Sequence, residues 1–236
     1  HVTENDAVAT NPAPAGATGA EGYVQAPTSG FSAGFDFYKV ASPVFSQQDY
    51  RWFTNTNNLD PGAALAATNT AYTLPDTTTS IRLRMNTRAA TSSAASLYSG
   101  FKLQYTNSAV TNNWTDVGGS SAWIFKDNLG VVASSTLNAT STLLGSNTVQ
   151  SYTEVNSTPN NPRQILSSQT GEWDFALDPV NSTSTTYFFR MVLSDNTVFN
   201  AYDNYPSTTF TIVAALAQDI VIFKGSSIFK SNVIFK

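Results

Sequence analysis

The chain has 236 residues, a net charge of −4 and no cysteine, so neither disulfides nor thiol chemistry hold it together. No stretch approaches the roughly 18 continuous apolar residues of a membrane-spanning helix, and the 12 Lys and Arg residues are too few and too scattered for a nucleic-acid surface. Charged residues make up only 12% of the chain, whereas Ser, Thr and Asn supply about a third, a composition suited to exposed strand faces and turns and familiar in secreted β proteins.

Residues 1–33 are rich in Ala, Pro, Gly and Thr and carry no period, which predicts an extended N-terminal arm. Because the first residue is His1, a signal peptide removed before it is expected, and with it an extracellular or cell-surface location. Strand signals then follow in series. Gly34–Val40 alternates with Phe35 and Phe37 on one face, and Gln48–Phe53 is a second short strand before a polar loop, 55–62, that closes on Asp-Pro-Gly. Ser80–Thr87 places Ile81, Leu83 and Met85 on one face and Arg82, Arg84 and Asn86 on the other, the pattern of a half-buried strand. Phe101–Tyr105 and Trp114–Gly119 read as a hairpin, with Ala122–Phe125 after it.

Residues 127–170 are polar and weakly patterned, which predicts a long loop with one or two edge strands. Glu172–Leu177 alternates with Trp173, Phe175 and Leu177 inward. Thr186–Leu193 is the most apolar run in the middle of the chain and belongs at the centre of a sheet, and Ser207–Val213 closes the domain. Ala63–Ala67 and Ala89–Leu97 have the composition for a helical turn or two. Many short strands separated by turn signals predict an all-β sandwich over 34–213.

Catalytic chemistry finds few residues to work with. His1 is the one histidine, which removes Ser-His-Asp and histidine-based metal sites, and no Gly-rich phosphate loop is present. Glu172 and Asp174 share a strand face at i and i+2, the one arrangement that resembles a glycosidase pair. With Trp173, Phe175 and Leu177 on the inner face, both carboxylates are expected on a solvated outer face. The expectation is therefore a protein that is not an enzyme and needs no cofactor. The oxygen-rich runs Asn55–Asp60 and Ser194–Thr197 admit a structural Ca2+, although turn chemistry explains them equally well. Tyr38, Tyr50, Tyr202 and Tyr205 are candidates for stacking on sugars. Asn113, Asn138, Asn156 and Asn181 head Asn-x-Ser/Thr sequons and are candidate glycosylation sites.

Two resemblances bear on the fold. Thr186-Tyr-Phe-Phe-Arg190, with Leu177 about ten residues upstream, resembles the tyrosine-corner strand of immunoglobulin and fibronectin type III domains. The pair formed by Phe101–Tyr105 and Trp114 resembles their middle hairpin. The absence of cysteine rules out an antibody-type core. Gln48–Phe53, Ile81–Met85, Phe101–Tyr105, Trp114–Val117 and Phe189–Val192 with Asp195 resemble a family of secreted bacterial surface β domains over about 47–206. That resemblance implies an extracellular β-sandwich and brings no catalytic residues with it.

Residues 214–236 are a short linker followed by IVIFKGSSIFKSNVIFK, in which Ile-Phe-Lys recurs every six residues. Six is a whole number of strand periods. In a continuous strand Ile220, Ile222, Ile228 and Ile234 share one face with the lysines, and Phe223, Phe229, Val233 and Phe235 share the other. Such a strand reaches about 55 Å, more than one sandwich covers. A local meander, a solenoid rung and donation of the strand to a neighbouring copy all accommodate the repeat. Left unpaired, the segment is an aggregation hazard. The expectation is an immunoglobulin-like β-sandwich that forms a homopolymeric filament, sheath or surface layer by intermolecular strand addition, with a carbohydrate-binding or adhesive module as the alternative and glycans as further partners.

Overall fold

The computed structural model describes residues 43–210, except 77, 96–97, 109–112, 139–141, 156–157, 181 and 184, and the backbone alone of 20–24, 35–38 and 98–99. The assembly residues Ile220, Ile222, Phe223, Ile228, Phe229, Val233, Ile234 and Phe235, and the sequons at Asn156 and Asn181, lie outside the described residues. In chain order the strands are β1 (Ala20–Val24), β2 (Phe35–Tyr38), β3 (Phe45–Thr54), β4 (Tyr72–Leu74), β5 (Ile81–Ala89), β6 (Tyr98–Ser99), β7 (Phe101–Thr106), β8 (Thr115–Asp116), β9 (Ile124–Phe125), β10 (Thr148–Thr153), β11 (Asn160–Asn161), β12 (Thr170–Asp178), β13 (Thr186–Leu193), β14 (Ala201–Tyr202) and β15 (Ser207–Phe210). Among the described residues there is no helix. The described residues of the two Ala-rich runs form no helical turn; Ala64 is bridged to Phe53 and Ala94 to Ile165.

Two mixed sheets face each other in the manner of a β-sandwich. The first runs β10-β12-β5-β3-β14, with β9 also paired to β12, and is parallel where β10 meets β12 and where β14 meets β3. The second runs β4-β15-β13-β7-β8 and is parallel only between β15 and β4. Two further pairs stand apart, β1 with β2 and β6 with β11. The stretch Phe35–Tyr38 thus finds its partner in Ala20–Val24.

The inner faces follow from alternation. Ile81, Leu83 and Met85 of β5 and Trp173, Phe175 and Leu177 of β12 are fully buried against Phe101, Leu103 and Tyr105 of β7 and Tyr187, Phe189 and Met191 of β13. Burying each large side chain stabilises the fold by about 1.5–3 kcal/mol. Aromatic rings join the layers edge to face: Trp52 meets Phe189 at 5.6 Å, and Trp123 meets Phe189 at 5.0 Å. The Trp52 indole N–H donates to the Ser207 carbonyl at 3.0 Å, which removes the cost of burying it.

A bulge in β3 has a specific use. The β3–β5 register slips between Gln47 and Tyr50, and the slip accompanies a buried Gln47 side chain that reaches the second sheet. There β15 pairs with β13 only as far as Phe188, so the backbone of Met191 has no strand beside it on that edge. Gln47 Oε1 accepts the Met191 N–H at 2.8 Å, and the Tyr202 hydroxyl donates to the Met191 carbonyl at 2.8 Å. Two side chains from the first sheet thereby complete the edge of the second.

Candidate functional site

The carboxylate pair is not where the sequence placed it. Glu172 and Asp174 do point away from the aromatic core, yet both are fully buried, as are Arg82 and Arg84 across from them on β5. Register is the first reason: β12 pairs β5 with Asp174 opposite Arg84 and Glu172 opposite Asn86. Arg82 Nε and Arg84 Nε each donate to one oxygen of Asp174 at 2.6 Å, and Arg84 Nη1 donates to Glu172 at 3.0 Å. Cover is the second reason. The 55–62 loop accepts the remaining Arg82 donors on the Asn58 and Leu59 carbonyls. The N–H groups of Leu143 and Leu144 donate to Glu172 at 2.8 and 2.9 Å. Tyr152 of β10 lies under the Arg82 guanidinium, 4.4 Å from its ring centre. Burial and the Glu154 carboxylate beside it raise the pKa of the Tyr152 hydroxyl against the opposing pull of Arg82.

These carboxylates have no access to a water or a glycosidic oxygen, so the arrangement is structural. Leu143 and Leu144, in the long polar run after Lys126, belong to a lid over this charged sheet face, while 148–153 of the same run joins the sheet as β10. The Asn55–Asp60 run is part of the same lid: Asn55 and Asn128 exchange amide hydrogen bonds at 2.8 and 2.9 Å, and Asp60 accepts from Asn138. The carbonyl oxygens that a cation would need at Asn58 and Leu59 hold a guanidinium instead. Among the described residues no three His, Cys, Asp or Glu side chains cluster as metal ligands do. In the other oxygen-rich run, Asp195 caps its own turn by accepting the Thr197 N–H at 2.8 Å.

The four tyrosines separate. Tyr50 is a core residue packed edge-on to Trp52, and burial raises its pKa. Its place two residues before Trp52 on the same strand face already carried that signal. The Tyr38 side chain lies outside the described residues. Tyr202 and Tyr205 come together, and the structure adds two residues that sequence reasoning missed, Trp114 and Arg190. Phe199, Tyr202, Tyr205 and Trp114 follow one another as near-parallel rings, with centres 5.8, 5.2 and 5.7 Å apart. The Arg190 guanidinium lies 4.2 Å above the Trp114 ring and 6.0 Å from that of Tyr202.

Each part of this strip is fixed by its element. Arg190 points outward from β13 because Phe189 and Met191 fill the core, and it stands opposite Gln104 of β7, which stands opposite Asp116 of β8. The three form a row across the outer face. Gln104 Oε1 accepts Arg190 Nε and Nη2 at 3.0 and 2.9 Å, and Gln104 Nε2 donates to Asp116 at 2.9 Å. Lys102 Nζ donates to the other Asp116 oxygen at 3.0 Å. Burial opposes ionisation of Asp116, but the Gln104 and Lys102 contacts outweigh it and hold its carboxyl below the ordinary range. Trp114 enters just before β8. Beyond β8, Gly118 and Gly119 take φ of 121° and 60°, so the expected 114–119 strand stops after two paired residues and turns away.

Tyr202 and Tyr205 ride on the segment between β13 and β15, which β14 ties to β3. The Tyr202 hydroxyl accepts the Phe199 N–H at 3.0 Å while donating to Met191, so its ring has a set orientation. Two adjoining clefts flank Trp114 and Arg190. One, of about 660 Å³, has Gln104, Asp116, Ser121 and Asn196 in its wall; the other, of about 440 Å³, has Val198, Phe199, Tyr202 and Tyr205. Tyr205 is 40% exposed. Asn113, beside Trp114, is exposed, and so is Asn138, which lies between β9 and β10. The two clefts join aromatic rings to fixed amide, carboxylate and guanidinium groups. Compared with protein-family models, with curated proteins and with solved structures, the chain matches none.

Proposed function

We propose that the outer face of the second sheet is a saccharide-binding surface and that the protein is a non-enzymatic glycan-binding or adhesive β domain. One observation carries this reading: Trp114, Tyr205 and Tyr202 form a partly exposed aromatic strip alongside Arg190, Gln104, Asp116 and Asn196. Sugar rings present apolar C–H faces and a rim of hydroxyls. Aromatic rings lining a cleft beside preset donors and acceptors answer both. The neutral polar coat and the resemblance to secreted bacterial surface domains support an extracellular setting. An immunoglobulin-like type is supported by Tyr187, whose hydroxyl accepts the Thr183 N–H at 2.9 Å, a link back to the chain just upstream as at a tyrosine corner. The three parallel pairings depart from the simplest form of that fold.

Affinity electrophoresis and calorimetry against a panel of soluble polysaccharides test the reading. Binding that is lost in Trp114→Ala and Tyr205→Ala, with circular dichroism unchanged, supports it. No binding by the wild-type protein across the panel overturns it.

A second reading, strand donation into a filament or surface layer, is carried by the six-residue Ile-Phe-Lys repeat of 220–236. The two are compatible, since an adhesive domain gains avidity when copies are arrayed.

A further inference from the structure

Resting on the saccharide reading, we infer that the ligand of this surface is an acidic saccharide, a uronate-containing polymer whose carboxylate pairs with Arg190. The charges along the Lys102–Asp116–Gln104–Arg190 row carry the argument. Asp116 is matched at both oxygens, by Lys102 and by the Gln104 amide. Asp195, the other carboxylate at this end of the row, acts on Lys102 as well. Arg190, at the opposite end, bonds only the neutral carbonyl of Gln104. Among the described residues no carboxylate pairs with it.

A guanidinium carries five N–H donors. Gln104 uses Nε and one donor of Nη2, which leaves the outer edge of the fork directed at neither Gln104 nor a counter-ion among the described residues. Partial burial against Trp114 and the tyrosines strips water from this cation without replacing it by an anion, and burial alone pulls its pKa down. A planar carboxylate matches the fork in two parallel hydrogen bonds, and its sugar ring then lies in the cleft lined by Val198, Tyr202 and Tyr205.

The whole-chain charge of −4 repels a polyanion. Any preference for acidic sugars therefore comes from close contact rather than long-range steering, and it persists at 0.15 M salt, where the screening length is about 8 Å.

The test compares polygalacturonate, alginate and hyaluronan, each with its carboxyl-reduced form, by affinity electrophoresis and calorimetry at 0.15 M salt. Wild-type protein is expected to bind at least one acidic polymer about tenfold more tightly than its reduced form, a difference of about 1.4 kcal/mol. Arg190→Gln brings the two forms within about twofold. Arg190→Lys, which keeps the charge and loses the fork, falls between them. Equal wild-type binding to acidic and reduced polymers, or an undiminished preference in Arg190→Gln, overturns the acidic assignment and leaves the saccharide reading standing. Binding to none of these polymers, nor to a panel of neutral ones, overturns both. Should Arg190→Gln not fold, the Arg190→Lys comparison and the wild-type ratio decide alone.

Discussion

Arg190 lies over Trp114, its guanidinium carbon 4.2 Å from the ring centre, and joins the segment entering β8 to the outer face of β13. The other three tryptophans, Trp52, Trp123 and Trp173, are fully buried, so Trp114 alone of the four is partly exposed. Acrylamide is expected to quench a single red-shifted component of the tryptophan emission, and Trp114→Phe removes that component. Trp114→Ala costs about 1–2 kcal/mol of stability, the size of one cation–π contact plus one stacked ring. Saccharide binding shields the same component. Quenching that is unchanged in Trp114→Phe contradicts this placement.

Gln47 is the second point at which the site depends on a residue outside it. Its side chain accepts from Met191 N and donates to the Asn204 carbonyl at 2.7 Å, fixing the segment that bears Tyr202 and Tyr205. Gln47→Leu keeps the bulk and leaves the buried Met191 N–H and the partly buried Asn204 carbonyl without this partner, so unfolding titrations should show a loss of about 1–3 kcal/mol. Saccharide affinity is expected to fall although Gln47 lies behind the surface. A stable variant with unchanged binding separates Gln47 from the site.

The buried charges on β5 and β12 make an asymmetric prediction. Asp174→Asn leaves two fully buried guanidiniums short of a counter-charge and is expected to cost about 3–5 kcal/mol. Replacing Arg82, Arg84, Glu172 and Asp174 together with apolar residues of similar size leaves no buried charge uncompensated, so its cost comes instead from the Asn58 and Leu59 carbonyls and the Leu143 and Leu144 N–H groups that lose their partners. Denaturation midpoints of the two variants compare them directly. A neutral outcome for Asp174→Asn contradicts the buried pairing.

That cluster also marks where sequence reading stops. Alternation identified β5 and β12 with their inner faces, and apolar content placed β13 inside a sheet, since period two is local and the core residues are large. On the outer face, Arg-x-Arg and Glu-x-Asp look the same whether water or a loop lies over them. The 55–62 and 126–147 segments that cover them have no period of their own, and the match of Arg84 with Asp174 exists only once the strands pair. The aromatic surface was half legible for a similar reason. Tyr202 and Tyr205 are close in sequence, whereas Trp114 and Arg190 read as ordinary strand residues until β8, β7 and β13 set them side by side.

Asp116 gives the surface a pH limit with a defined sign. Its carboxyl is held below the ordinary aspartate range, so the unfolded chain takes up the proton at a higher pH than the folded one. Its contribution to stability is therefore complete above about pH 4 and is lost as pH falls through the depressed value. Both partners are partly exposed, so solvent screening keeps the effect under about 1 kcal/mol. Asp116→Asn should flatten this part of the acid limb in a pH series of thermal midpoints. An acid limb identical to wild type means that Asp116 is not engaged by Lys102 and Gln104 in solution.

The repeat of 220–236 makes the last prediction. Both faces of a strand drawn through it carry Ile, Val or Phe, so the segment needs cover on both sides. If a neighbouring copy supplies that cover, the contact is head to tail, does not close on itself, and grows into fibres. Deleting Asp219–Lys236 is then expected to give a monomer by light scattering, while the intact chain gives fibres in electron micrographs and binds the deleted form when added to it. Replacing Phe223, Phe229 and Phe235 with Ser should weaken assembly more than replacing the lysines, because apolar side chains, not charges, fill a donor strand's pockets. Saccharide binding by the deleted form is expected to persist, since the Trp114–Arg190 surface lies wholly within 43–210. Fibres formed by the deleted chain, or discrete single particles formed by the intact one, sink the donation reading and leave the repeat to fold back on its own domain.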